Sequence, residues 1–184
     1  MSDDARYFHD TRAPYFTANN AAVTLLTTLK ALYPIANFPV LGGNYWDRIG
    51  KKLRIRSFHN VTTGTTPGTG LISILYGTGA DANGVTLASS AAFTLVASQT
   101  NLSMEIDVTV RCITLGATGT LEVTGKVSFN SALVATFVQM IPASAAAPSA
   151  ACDLTAANII SLQMSRTGST AETVALTDLD VQAL

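Results

Sequence analysis

The sequence predicts an all-β fold, a two-sheet antiparallel jelly-roll-like sandwich with an irregular aromatic N-terminal arm, and three observations carry that expectation. Charged residues make up 12% of the 184, about half the usual share of roughly 25%. In their place stand 25 Thr and 27 Ala, with 13 Gly and 6 Pro, a composition that suits strands and tight turns better than charged amphipathic helices. Finally, over residues 101–114, Leu102, Met104, Ile106, Val108, Val110 and Cys112 alternate with Ser103, Glu105, Asp107, Thr109 and Arg111. A helix cannot keep those two sets on separate faces, whereas a half-buried strand does.

The elements follow in chain order. Residues 1–48 are read as an N-terminal arm and docking segment, because they are irregular and hold eight of the thirteen aromatic residues. Within them the segment 22–32 also suits a helical face, but it is read as a strand followed by a short turn. Residues 49–184 are read as the β-sandwich domain, one domain being what a chain of this length supports at about 150 residues each. Short alternating runs separated by Gly, Thr, Ser and Asn place strands at 53–58, 71–76, 93–97, 101–114, 121–129, 133–141, 159–164 and 173–183. The runs at 101–114 and 121–129 flank Gly116 and Gly119 and read as one long hairpin. In the last run Val174 and Leu176 share one parity while Leu179, Val181 and Ala183 share the other, so a bulge is expected at Asp178. The Ala- and Ser-rich stretch 142–151, with Pro142 and Pro148, reads as a surface loop.

Composition also narrows the function. A net charge of −1 leaves no field to gather nucleic acid or an anionic membrane, so neither is expected as a partner. Every apolar run falls short of a membrane span, and the start of the chain lacks the basic and apolar pattern of a secretory signal. Without such a signal Cys112 and Cys152 are expected as reduced thiols, with Cys112 on the core parity of its strand.

Reactive groups do not converge in the sequence. His9 and His59 show no metal-type spacing, and His59, beside the Gly- and Thr-rich loop 60–70, is read as a surface residue. There is no Gly-x-Ser-x-Gly elbow. The run from Gly64 to Gly70 lacks the Lys-Ser or Lys-Thr of a phosphate loop and leads into a strand, so it is read as a hairpin loop. No catalytic residue, metal or cofactor is expected. The sequons at Asn60 and Asn101 carry no meaning in a chain without a secretory signal.

Two features remain. Arg48, Lys51, Lys52, Arg54 and Arg56 put five cations into nine residues, with Lys52, Arg54 and Arg56 on one strand face. Three readings compete for them: protection of a sheet edge, docking onto acidic protein surface through Arg forks, and, last, nucleic-acid contact. The second feature is the arm, where Tyr7, Phe8, Tyr15 and Phe16 interleave with Arg6, Asp10 and Arg12. Such a segment is too irregular for its own core, and it either caps one end of the sandwich or lies across a partner.

The runs "GKKLRIRSFHNVTTGTTPGTGLISILYG", "LSMEIDVTVRCITLGATGTLEVTGKVSF" and "TVALTDLDVQAL" resemble tailed-bacteriophage head decoration, or cement, proteins, and also some fibre-type head domains. The likeness spans about residues 49–184, departs from the pattern at the closing "VQAL", and includes no second fibre or receptor domain. It implies a jelly-roll-like module that forms a homotrimer, binds the major capsid protein on the outer surface of the virion, and is made in the host cytoplasm. On that implication the partner-binding residues are Tyr7, Phe8, Arg12, Tyr15 and Phe16 of the arm, with Arg54 and Arg56 of the basic stripe. The alternative is a fibre-type host-surface or carbohydrate-binding module, for which an exposed aromatic such as Tyr76 would serve.

Overall fold

Period-two patterning folds here into two stacked antiparallel sheets. The computed structural model describes residues 22–33, 40–43 and 45–184. Among them lie eleven strands and no helix: β1 (Val23–Thr24), β2 (Lys30–Ala31), β3 (Lys52–Thr62), β4 (Thr69–Gly77), β5 (Val85–Ser89), β6 (Phe93–Thr94), β7 (Leu102–Thr114), β8 (Thr120–Phe129), β9 (Val138–Ile141), β10 (Ile159–Arg166) and β11 (Thr173–Ala183). The first sheet has the order β1-β11-β3-β7-β8-β9, and the second β2-β10-β4-β5 with β6 also paired to β4.

The chain crosses repeatedly between the sheets, and two of these crossings, β3 to β4 and β10 to β11, run side by side. In the first sheet β3 therefore pairs with β11, and in the second β4 pairs with β10, so a double-length antiparallel ribbon is folded over on itself. That wrap is the jelly-roll feature of the molecule. β7, β8 and β9 instead form a simple meander in one sheet.

The core lies between the layers. Leu53 and Ile55 of β3, Ile72 and Ile74 of β4, Ile106 and Val108 of β7, and Leu162 and Met164 of β10 have no exposed surface. Burying each such side chain stabilises the fold by about 1.5–3 kcal/mol relative to leaving it in water. Phe93 and Phe129 close one end with ring centroids 4.5 Å apart. Gly70 makes that closure possible, since a Cβ there would sit 2.6 Å from the Phe93 ring and 2.8 Å from the Met164 methyl.

Threonine hydroxyls tie the β3–β4 and β10–β11 loops together. Thr66 and Ser169 share a hydrogen bond of 2.8 Å, and Thr69 and Thr167 one of 2.9 Å. The amides of Thr66 and Thr69 donate to the hydroxyls of Thr170 and Thr167. The Gly- and Thr-rich loop thus joins strands of different sheets rather than closing a hairpin, and these backbone donors are already satisfied.

Several expectations change. Residues 22–33, 41–43, 45 and 46, assigned by sequence to the arm, belong to the sandwich: Val23 pairs with Val174, Ala31 pairs with Gln163, and Leu25, Leu32 and Leu41 are fully buried. The Tyr33 hydroxyl, pushed well above its usual range by burial, accepts from the Leu162 amide and donates to the Ile160 carbonyl. Arg166 and the fully buried Glu172 form an ion pair at 2.7 Å, and Arg166 also donates to the Leu25 carbonyl. β5 was not expected, because its five small residues carry weak alternation and its ladder with β4 shifts register between Ile74 and Leu75. The strand expected over 133–141 covers only Val138–Ile141, and Leu133 and Val134 are buried in the preceding turn. In β11 the unpaired bulge residue is Thr177, one place before the expected Asp178.

His59 also lies where sequence did not place it. It follows Leu53, Ile55 and Ser57 on the inner parity of β3 and is 1% exposed. Its Nε2 shares a 3.0 Å hydrogen bond with Ser57, and its Nδ1 makes none. Burial lowers its pKa from 6.5 to about 3. Between those two values the unfolded chain binds a proton that the folded chain excludes, so stability falls as pH drops below 6.5. The cost is on the order of 1 kcal/mol per pH unit. His59→Gln is expected to flatten the stability profile between about pH 6 and pH 5, above the range where most carboxylate protonation occurs; denaturant midpoints that keep the wild-type slope there would contradict a neutral buried ring.

Candidate functional site

The residues that β3 does not bury meet those of β7 and β8 on the outer face of the first sheet. Register sets their partners: Arg56 stands opposite Asp107, and Phe58 opposite Glu105. The long guanidinium groups reach diagonally by one pair. Arg54 forks onto Asp107 with bonds of 2.9 and 2.6 Å, and Arg56 reaches Glu105 at 2.6 Å. On the next ladder Arg111 bonds Glu122, directly opposite, at 2.7 Å. The Arg54 hydrogen bond, aided by the nearby charges of Arg54, Arg56 and Lys126, holds the Asp107 carboxyl below its usual range against desolvation.

Counting outward positions of β3, β7, β8 and β11, five cations (Lys52, Arg54, Arg56, Arg111, Lys126) face five carboxylates (Glu105, Asp107, Glu122, Asp178, Asp180). Three of the five cations in the basic stripe, Lys52, Arg54 and Arg56, thus belong to a balanced charge lattice on this face. The edge-protection reading is overturned, because β3 lies inside its sheet between β11 and β7. Arg54 and Arg56 are about half exposed, yet each is engaged by a carboxylate of its own chain. Tyr7, Phe8, Arg12, Tyr15 and Phe16 lie outside the described residues.

Two depressions divide this face. At one end a groove of about 420 Å³ runs between Arg54, Asp107, Lys126, Met140 and Leu184. Met140 is 61% and Leu184 55% exposed, a large apolar surface to leave in water. Phe137 and Val138 continue the apolar line along β9, the edge strand. Sequence reasoning missed these residues, although the alternation Val138-Gln139-Met140-Ile141 contains the signal that Val138 and Met140 share an outward face. At the other end Phe58, Asn60, Ser103, Glu105, Ser128 and Asn130 surround a depression of about 410 Å³.

Elsewhere the reactive groups stay apart. Cys112 and Cys152 are buried free thiols, and burial raises both pKa values. Tyr76, offered by sequence as an exposed sugar-stacking ring, is 3% exposed on the inner face of β4, and desolvation raises its pKa to about 12. Among the described residues no group of three or more His, Cys, Asp or Glu is placed to hold a metal ion, and no helix is long and apolar enough to cross a membrane.

No protein-family model matches the sequence, and no curated protein or solved structure is significantly similar to it.

The lattice is partly solvated, so its pairs are expected to set register and surface character more than stability. A double-mutant cycle on Arg54→Ala and Asp107→Ala should give a coupling of about 0.2–1 kcal/mol, decreasing with salt. A coupling well above that range would show that the face is drier than its exposure indicates.

Proposed function

We propose that this protein is a virion structural protein of the decoration, or cement, type, which binds the outside of a phage head and stabilises contacts between capsid subunits. The observation that carries the reading is the groove in which Arg54 lies between the exposed side chains of Met140 and Leu184. Arg and Met are residue types enriched in interface cores, and exposed apolar side chains bordering a shallow groove, beside a cation already held by Asp107, fit a flat protein surface. The resemblance of residues 49–184 to head decoration proteins supplies the identity of the partner.

In this mechanism the protein works by contact area. Each protomer covers about 800 Å² of capsid surface, and a trimer multiplies weak contacts by avidity. The neutral lattice gives no long-range attraction, so docking depends on apolar contact at the groove and resists salt better than a bare basic stripe would. The aromatic residues Tyr7, Phe8, Tyr15 and Phe16 add the arm contact implied by the resemblance.

Met140→Asp combined with Leu184→Asp should lower occupancy of purified phage heads by tenfold or more in a co-sedimentation assay, with unchanged thermal stability. Removal of residues 1–16 should lower occupancy as well. Heads decorated at the wild-type level by both altered proteins would refute the reading. Light scattering on the purified chain should report a mass three times that of the 19.2 kDa protomer; a strictly monomeric protein at micromolar concentration would remove the trimer from the proposal.

A further inference from the structure

The depression around Phe58 differs in chemistry from the rest of its face. Elsewhere on this face Arg54 and Arg111 are paired across strands with Asp107 and Glu122. Here, Glu105 apart, the outward groups are neutral: Asn60, Ser103 and Ser128 make no side-chain hydrogen bond to any described residue, and Asn130 uses only its carbonyl oxygen, on the Ala132 amide. Glu105 gives one oxygen to Arg56.

The fold makes the hollow. Thr177 is the extra residue of the β11 bulge, and its hydroxyl donates to the Phe58 carbonyl at 2.9 Å. A bulge adds twist and bends its strand, and Thr177 forms one wall of the depression. Phe58 stands beside that bulge with Arg56 over its ring, the guanidinium carbon 4.8 Å from the centroid. Arg56 thereby connects the ring to Glu105, so the aromatic and the carboxylate are held by a common neighbour.

We propose that this depression binds a neutral pyranose, the terminal sugar of a host-surface glycan. A sugar ring offers an apolar C–H face and a rim of hydroxyls that both donate and accept. The hollow offers the complement: an aromatic ring edged by two amides, two hydroxyls and a carboxylate oxygen. Its polar groups lie on adjacent strands about 4.8 Å apart, close to the width of a single sugar ring. Ser103 stands opposite Asn60, and Glu105 lies between Phe58 and Ser128. Its volume of about 410 Å³ lies within the range of small-ligand sites, roughly 300–1,000 Å³. Charge decides the sugar class: Glu105 within the hollow and Asp178 opposite Phe58 disfavour a uronic or sialic acid. The hollow itself is argued from residues separate from Met140 and Leu184, and only the host origin of the glycan and the multivalency of the protein rest on the proposed function.

The test titrates the purified full chain, by calorimetry or amide chemical shift, with the methyl glycosides of glucose, galactose, mannose and N-acetylglucosamine, and with methyl glucuronide. At least one neutral glycoside is expected to bind with a Kd of about 1–10 mM, as one shallow site allows. Phe58→Ala should weaken it tenfold or more and Ser103→Ala several-fold, while Thr124→Ala, on the other half of the face, should leave it unchanged. The same sugars on a glycan array distinguish a surface polymer, which the multivalent protein binds more tightly, from a free sugar, which shows no such gain. The proposal is overturned if no neutral glycoside binds, if Phe58→Ala and Ser103→Ala both bind as the parent does, or if the glucuronide binds as tightly as its neutral counterpart.

Discussion

The register of β3 between β11 and β7 is the constraint from which the other features follow. Because side chains alternate, one frame sends Leu53, Ile55, Ser57, His59 and Val61 inward and Lys52, Arg54, Arg56, Phe58 and Asn60 outward. A slip of one residue would carry three cations between the sheets and three aliphatic side chains into water. Burial of charge without partners is far costlier than loss of any single surface pair, so the hydrophobic term sets the frame and the ion pairs follow it. The diagonal bonds from Arg54 to Asp107 and from Arg56 to Glu105 exist because that frame brings β7 into step.

The same constraint explains how a weakly charged chain presents a busy surface. Ten of its 23 charged residues stand on one sheet face, in equal numbers of each sign. Three cross-strand ion pairs and the equal numbers leave a face that neither attracts nor repels at a distance, and recognition there falls to what lies between the charges. Met140 and Leu184 border one hollow, and Phe58 with its uncharged neighbours borders the other. One suits a protein surface and the other a small hydroxylated ligand, and both are consequences of where the charge lattice stops.

Threonine has two physical roles in this architecture. In strands such as β7 and β8 its branched side chain fits the pleat, as at Thr109 and Thr124, which stand opposite one another. In the sheet-crossing loops its hydroxyl replaces a backbone partner, as Thr167 and Thr170 do for the amides of Thr69 and Thr66. That second role helps close the folded-over ribbon, and it accounts for a Gly-rich loop whose amides are turned to structure.

What the sequence by itself determined was what depends on near neighbours along the chain. Alternation over β7 and β8, the turn at Gly116, the change of parity near Thr177 and the inward position of Cys112 could all be read from spacing, because a strand fixes side-chain direction residue by residue. The all-β sandwich followed from the same pattern repeated. Only the tertiary structure decided which strands are neighbours, and that determines what exposed residues mean. The basic stripe could be read as a sheet edge until β11 and β7 flanked it, His59 read as surface until its parity was tied to the core, and Tyr76 read as an exposed ring until β4 turned it, with Ile72 and Ile74, toward the other sheet. Residues 22–33 looked like part of an arm because β1 and β2 are two residues long and carry no periodic signal. They join the sandwich through partners more than a hundred residues away, Val174 and Gln163 among them. Long-range pairing leaves no trace in local spacing, since its free energy comes from surfaces that meet only when the chain is folded.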